Sequence, residues 1–303
     1  MSRRALVLGG GGPVGIAWEA GVLSGLAEAG ADLAAAVDHV IGTSAGAFIG
    51  ARVALGHTPG DIAAVYAREP RAVDEQGPRS APASAPPEVP DLAFLFQMIQ
   101  EAARAGRSAA EIARDLGEFA LQAKTMTEDE FIARFTSKLR PGGVGTWPAR
   151  SFVCTAFDAQ DGSFKIWDVA AGVDLARAVA SSCAVPGIYP AVTVEKRRYI
   201  DGGVLSTTNA HLARGYDVVF VLAVTEELAR RADVTREKKT PLQREVQALR
   251  ETGADVHVIA LDTDALRVVG TNLMALSQQR SALREGLRQG RAEAARLAPA
   301  LAK

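Results

Sequence analysis

A short apolar run, Leu6-Val7-Leu8, gives way to four consecutive glycines, Gly9 to Gly12, then to Pro13-Val14-Gly15 and a helix-like stretch from Ile16 to Ala29. Strand, glycine loop and helix in that order leave few folds open. Glycines without side chains let several main-chain N–H groups converge on one anion, and the proline keeps the loop from entering the helix too early. The anion is either a phosphate or the oxygen of a tetrahedral intermediate. A second glycine-framed island, Gly42-Thr43-Ser44-Ala45-Gly46, follows the apolar residues Val37, Val40 and Ile41 and precedes the helix-like Ala47-Phe48-Ile49-Gly50-Ala51. Ser44 therefore sits on a strand-to-helix turn. Such a turn exposes a strained serine, and its flanking glycines are required because a side chain there would strike the adjoining strand or helix. The helix that follows points its free N–H groups and positive dipole end at the serine.

Each island has a plainer reading. G-x-S-x-G is also a turn in which a serine caps a helix. Gly10, Gly12 and Gly15 fit the dinucleotide fingerprint G-x-G-x-x-G. That fingerprint wants an acid at the end of the second strand to hold a ribose, whereas Ile41 ends that strand here and Asp38 stands at its beginning. A third segment, Arg198-Tyr199-Ile200-Asp201-Gly202-Gly203, reads as strand followed by an Asp-Gly turn. Read functionally, it puts a carboxylate at a strand end as the Ser44 turn puts a hydroxyl, with two glycines that allow close approach to another loop.

These segments together resemble the patatin-like phospholipases, serine acyl hydrolases that use a Ser-Asp dyad. Gly10-Gly11-Gly12-Pro13-Val14-Gly15 resembles the family's oxyanion loop and Gly42 to Gly46 its nucleophile turn. Ser182-Cys183-Ala184-Val185-Pro186 resembles the serine-to-proline element, and Asp201-Gly202-Gly203 the aspartate motif. The resemblance runs from about Ala5 to about Val224. It implies a three-layer α/β/α sandwich on a mainly parallel sheet, Ser44 as nucleophile and Asp201 as base. It also implies an oxyanion hole from Gly10, Gly11, Gly12 and Ala45, with Gly15, Gly42, Gly46, Gly202 and Gly203 in support. One position departs from the pattern: Val14 stands where the family usually carries Lys or Arg, leaving main-chain donors alone at the oxyanion site. Cleavage of lipid or other acyl esters is the implied activity, with no cofactor and no metal. The alternatives are a general carboxylesterase or lysophospholipase, or a protein that binds lipid without turning it over. An α/β-hydrolase triad needs a histidine after the acid; only His211 and His257 follow Asp201, the first opening a helix and the second inside an apparent strand.

Composition fits a catalyst with enough chain for one large α/β domain or two small ones, and the resemblance implies a single domain over residues 1–303: the chain is 48% hydrophobic with a net charge of −1. Near-neutral charge argues against a nucleic-acid partner. No apolar run is long enough to span a bilayer, and Arg3-Arg4 lead into a motif-bearing strand, so the expected location is the cytoplasm, with transient contact at a membrane surface. Cys154 and Cys183 are expected as buried, reduced thiols, and no metal-ligand spacing occurs. Residues 70–90 hold five prolines between Gly77 and Pro90 and read as a flexible insertion. Residues 91–140 read as a helical insertion and a candidate lid, because Leu92, Leu95, Phe96 and Ile99 form one stripe while Phe94 and Met98 face the other way. Ser108-x-x-Glu111 and Thr127-x-x-Glu130 predict capping boxes. Further strands are predicted at 151–157, 164–167, 218–224 and 256–261, a helix from Asp174 to Ser181, a charged, solvated loop over 230–244 leading into a helix, and a last helix from about Asn272 to Leu297, with Gly286 and Gly290 weakening it.

Overall fold

The computed structural model describes residues 2–67, 92–139, 146–232 and 239–302. The predicted insertion at 70–90 lies outside these residues. In chain order the strands are β1 (Arg4–Leu8), β2 (His39–Gly42), β3 (Ser151–Asp158), β4 (Phe164–Trp167), β5 (Val192–Val194), β6 (Arg197–Asp201), β7 (Val218–Ala223) and β8 (Asp255–Ala260). The first helices are α1 (Gly12–Glu28), α2 (Leu33–Ala36), α3 (Ala45–Ala54), α4 (Pro59–Ala67), α5 (Ala93–Arg104), α6 (Ala109–Gln122) and α7 (Glu128–Leu139). The rest are α8 (Leu175–Ser182), α9 (Glu226–Ala232), α10 (Pro241–Glu251), α11 (Thr263–Val269) and α12 (Gln279–Leu301).

One sheet runs in the order β5-β6-β3-β2-β1-β7-β8, with β4 also paired to β3. The β3-β2-β1-β7-β8 stretch is parallel throughout, while β4, β5 and β6 are antiparallel additions. Alternate residues feed opposite layers, as the two-residue period of a strand requires. Leu6, Leu8, Phe220 and Leu222 face the larger core under α1, α3, α8 and α12. Ala5, Val7, Val219 and Val221 face Leu242, Val246 and Leu249 of α10. A third cluster lies under α5 and α6, where Leu95, Ile112 and Leu116 meet Phe157 and Ile200. This is an α/β/α sandwich on a mostly parallel sheet.

The pairing of β3 sets up the site. β4 pairs with Cys154 to Phe157, overlapping both the residues paired to β2 (Ser151 to Cys154) and those paired to β6 (Ala156 to Asp158). β2 and β6 therefore occupy the same edge of β3, one after the other. Where β2 leaves that edge at Gly42, β6 arrives with Asp201 opposite Ala156.

Both predicted capping boxes form. Ser108 and Glu111 exchange hydrogen bonds at the start of α6, as do Thr127 and Glu130 at the start of α7. Two expectations are corrected. Part of the charged stretch over 230–244 is helical, in α9 and in the Thr240-capped α10. The last helix starts at Gln279 instead of Asn272, because Asn272 Oδ1 takes the Met274 N–H and holds a turn, after which residues 276–278 form a single 3-10 turn. Gly286 and Gly290 do not weaken α12. A Cβ at Gly286 would lie 2.3 Å from the Trp18 carbonyl oxygen and one at Gly290 2.3 Å from that of Val22, while Gly21 and Gly25 of α1 meet the carbonyls of Leu283 and Leu287 in return. Four glycines thus let the two longest helices touch main chain to main chain.

Candidate active site

Ser44 lies at the tip of the turn between β2 and α3 with φ 54° and ψ −118°, a region non-glycine residues rarely enter. The turn is forced by its surroundings. A Cβ on Gly42 would meet the Ala47 Cα at 2.5 Å, and one on Gly46 the Leu8 carbonyl oxygen at 2.1 Å. The Thr43 N–H donates to the Leu8 carbonyl and the Gly46 N–H to the Gly9 carbonyl, both at 3.0 Å, tying the turn to the end of β1.

Asp201 ends β6 beside it, with the Ser44 hydroxyl close enough to its carboxylate to favour the ionised form. The Gly203 N–H donates to Asp201 Oδ1 at 2.7 Å. Both residues are buried, Ser44 at 8% and Asp201 at 4% exposure. Burial pushes the Asp201 carboxyl up to about 7, against the opposing pull of the nearby Ser44 hydroxyl and the Gly203 N–H. Gly202 is a close-approach position, since a Cβ there would stand 2.3 Å from the Thr155 carbonyl oxygen.

The glycine loop passes directly over the nucleophile: a Cβ on Gly10 would lie 3.3 Å from Ser44 Cβ and 3.9 Å from Ser44 Oγ. The main-chain donors of this loop are not all free. Gly10, expected among the oxyanion donors, gives its N–H to the Thr207 carbonyl at 2.7 Å, and Gly9 gives its own to Leu222 at 3.0 Å. Those two bonds fasten the loop. Among the described residues, the N–H groups of Gly11, Gly12 and Ala45 have no main-chain acceptor. Gly15 returns its N–H to the Gly11 carbonyl and closes the first turn of α1. Val14 is wholly buried and donates to the Leu273 carbonyl at 3.1 Å, so its side chain belongs to the core.

Several residues of this site were not singled out from the sequence. Asn209, in the left-handed region at φ 49°, directs its side-chain amide at Thr43 Oγ1 (3.1 Å), Thr155 Oγ1 (3.3 Å), the Gly202 carbonyl (3.0 Å) and the Ser206 carbonyl (3.0 Å). Thr43 and Thr155 share a further hydrogen bond at 3.0 Å. The residue before the nucleophile and the residue after the aspartate are thereby joined through one buried amide. The only signal in the chain was the run Ser206-Thr207-Thr208-Asn209 just past the Asp-Gly-Gly motif. Cys154 and Cys183 are unpaired and buried, and burial raises both thiols well above their ordinary range. The histidines lie elsewhere: His211 bonds Glu245 at 3.2 Å, and His257 sits beside Asp255 with its ring stacked on Phe220. Among the described residues no histidine bonds to Ser44 or Asp201, and no group of three or more His, Cys, Asp or Glu side chains could hold a metal ion.

A family profile described as patatin-like phospholipase matches residues 6–214. The chain belongs to the patatin-like phospholipase family. No match was found among curated proteins. Solved structures similar to the chain include VipD from Legionella pneumophila, at 14% identity and a TM-score of 0.42, covering 95% of this chain and 66% of that one. They also include the type III effector protein ExoU, at 15% identity and a TM-score of 0.41, covering 97% of this chain and 53% of that one. Full-length ExoU from Pseudomonas aeruginosa in complex with full-length SpcU matches at 17% identity and a TM-score of 0.38, over 95% of this chain and 53% of that one. The chain thus spans somewhat under two thirds of the VipD chain and about half of the ExoU chains.

Proposed function

We propose that the protein is a serine acyl hydrolase that cleaves lipid esters through a Ser44–Asp201 dyad and an acyl-enzyme. The observation that carries this reading is the pairing of a positive-φ serine at a strand-to-helix turn with a buried carboxylate at a strand end, close enough for the serine hydroxyl to favour its ionised form. Asp201 accepts the hydroxyl proton as Ser44 Oγ attacks the ester carbonyl carbon. Carbonyl π electrons move to oxygen, and the N–H groups of Gly11, Gly12 and Ala45 are the donors available to that oxyanion. Collapse breaks the bond to the leaving alkoxide, which takes the proton from Asp201. A water molecule then attacks the acyl-enzyme, again giving its proton to Asp201; collapse of this second intermediate breaks the bond to Ser44 Oγ, which takes the proton back from Asp201, and a free fatty acid leaves. Val14 adds no charge at this site, consistent with donors drawn from the main chain alone.

Both dyad residues are buried, and we take entry of a bulky lipid to need movement of a neighbouring element. Within the helical insertion α7 is firmly held. Phe131 is buried and stacks on Tyr189 at 4.7 Å, and Glu128 accepts hydrogen bonds from Arg177 and Thr193. α5 is held least: Phe94 and Phe96 are exposed, and Phe94 rests edge-on against Phe119 beside Gly187. We assign α5 as the cover that opens at a lipid surface, which gives its two apolar faces a use.

The test is labelling and turnover. A fluorophosphonate probe is expected to modify Ser44 in the wild type and not in Ser44→Ala, and Asp201→Asn is expected to reduce cleavage of a chromogenic short-chain ester by at least about a hundredfold. Lipid binding without release of chromophore by the wild type would favour the non-catalytic alternative. Full turnover by Asp201→Asn would remove Asp201 from the mechanism.

A further inference from the structure

β2 ends at Gly42, so the main chain of Ser44 has left the sheet and finds its partners elsewhere. They come from the end of α8. The Ser44 N–H donates to Ser182 Oγ at 3.0 Å, and the Cys183 thiol donates to the Ser44 carbonyl oxygen at 3.1 Å. The next residue in the same turn, Ala184, accepts the Asp201 N–H on its carbonyl at 3.0 Å. Ser182 is wholly buried and Cys183 nearly so.

We propose that the Ser182-Cys183-Ala184 turn is the positioning element of the dyad: Ser182 and Cys183 hold the nucleophile's main chain in its strained torsion, and Ala184 sets the aspartate at the matching distance. This inference rests on the Ser44–Asp201 reading and deepens it. The physical argument concerns rotation. The N–H and the carbonyl of Ser44 lie on either side of its two soft torsions, so gripping both fixes the direction of the Cα–Cβ bond that carries Oγ. A positive-φ serine is strained and persists only where its neighbours over-determine it. The helix that follows supplies part of that restraint, because the Ser44 carbonyl also accepts the N–H groups of Ala47 at 2.9 Å and Phe48 at 3.3 Å. It supplies nothing on the N–H side, where Ser182 Oγ is the acceptor. Three consecutive residues thus touch the main chain of both dyad members. A shift of this turn moves Ser44 and Asp201 together, whereas loss of one of its side chains moves Ser44 alone.

A positioning role and a merely structural one separate in kinetics. Ser182→Ala removes the acceptor of the Ser44 N–H, Cys183→Ala removes the thiol donor, and Cys183→Ser keeps a donor at the same place. With a soluble chromogenic butyrate ester, and each protein assayed well below its own melting temperature, the two alanine variants are expected to lose about ten- to a hundredfold in kcat with KM within about twofold, the range for slight misplacement of a reacting group. The rate of fluorophosphonate labelling should fall in parallel, and Cys183→Ser should recover most of both. The Ser182→Ala/Cys183→Ala double variant should lose less than the product of the single losses, because both side chains restrain the main chain of one residue. Variants that melt earlier but label and turn over at the wild-type rate while folded would overturn the proposal, as would a Cys183→Ser variant no better than Cys183→Ala. If the wild type itself fails to label at Ser44, the dyad reading falls and the positioning role with it. A wild type that labels beside unaffected variants removes the positioning role alone.

Discussion

Asp201 carries two conflicting demands, since a base needs affinity for a proton and a buried carboxylate is costly to ionise. Its carboxyl is pushed up to about 7, chiefly by burial, which makes it far better suited to take the Ser44 proton near neutrality than an ordinary aspartate. The catalytic form is the ionised one, so kcat/KM is expected to rise as pH increases through about 7 and to fall away below it; a flat profile from pH 5 to 8 would show that another group is the base. Stability runs the other way. Between the ordinary aspartate value of 3.8 and about 7, the folded protein holds a proton that the unfolded chain releases, so this residue's contribution declines as pH rises across that window and is level above it. Asp201→Asn is uncharged at every pH. It should therefore melt higher than the wild type at pH 8, by up to about 4 kcal/mol of stability, with the gap closing towards pH 4. Thermal melts of both proteins at the two pH values check this, and the same substitution should abolish turnover, a direct trade of stability against function.

At the scale of elements, the two longest helices are joined by glycines that the chain's periodicity makes look like flaws. Read from propensity alone, Gly25 inside α1 and Gly286 inside α12 each weaken a helix by roughly 0.5–1 kcal/mol relative to alanine. Contact with the neighbouring main chain reverses the sign. A Cβ on Gly25 would stand 2.4 Å from the Leu287 carbonyl oxygen and one on Gly286 2.3 Å from that of Trp18, atoms that cannot rotate aside. Gly25→Val is accordingly expected to destabilise by about 3 kcal/mol or more through overpacking, read as a lower denaturation midpoint; a midpoint unchanged or raised would show that the helices can part without loss. The same contrast marks what was legible in the sequence. Leu6-Val7-Leu8, the four glycines and the Gly42–Gly46 turn were readable because local chemistry dictates them, and the strand at 164–167 and the two capping boxes were readable for the same reason. The α1–α12 contact, the Asn209 amide and the bond from Gly10 to Thr207 join residues far apart in the chain. No local pattern announces such pairings, so the sequence placed Gly10 among the anion donors when its N–H had another partner.

Across the whole molecule, a parallel sheet ending on β8 raises a separate problem, because its outer edge presents unpaired carbonyls on which another chain could add a strand. The described residues close that edge with side chains. The Val256 carbonyl accepts from Arg250 Nη2 at 2.9 Å, that of Val258 from Arg296 Nη2 at 3.2 Å, and that of Ala260 from Gln289 Nε2 at 2.5 Å. One donor comes from α10 and two from α12, so the helical layers on both sides of the sheet share the task. Each guanidinium satisfies a main-chain acceptor and also brings positive charge to the edge, which disfavours approach by an identical edge from a second copy. None of these residues is near Ser44 in the fold's topology, since β7 and β1 separate β8 from β2, whose end carries the nucleophile turn. Arg250→Ala combined with Arg296→Ala should therefore leave the rate of ester cleavage in dilute solution within about twofold while making the protein self-associate, as an uncovered edge strand does. Light scattering against concentration at fixed salt reads the association, and the activity assay reads the site. A double variant that stays monomeric at concentrations where the wild type does would show that β8 is protected by its own shape and twist, with the arginines as surface charge only.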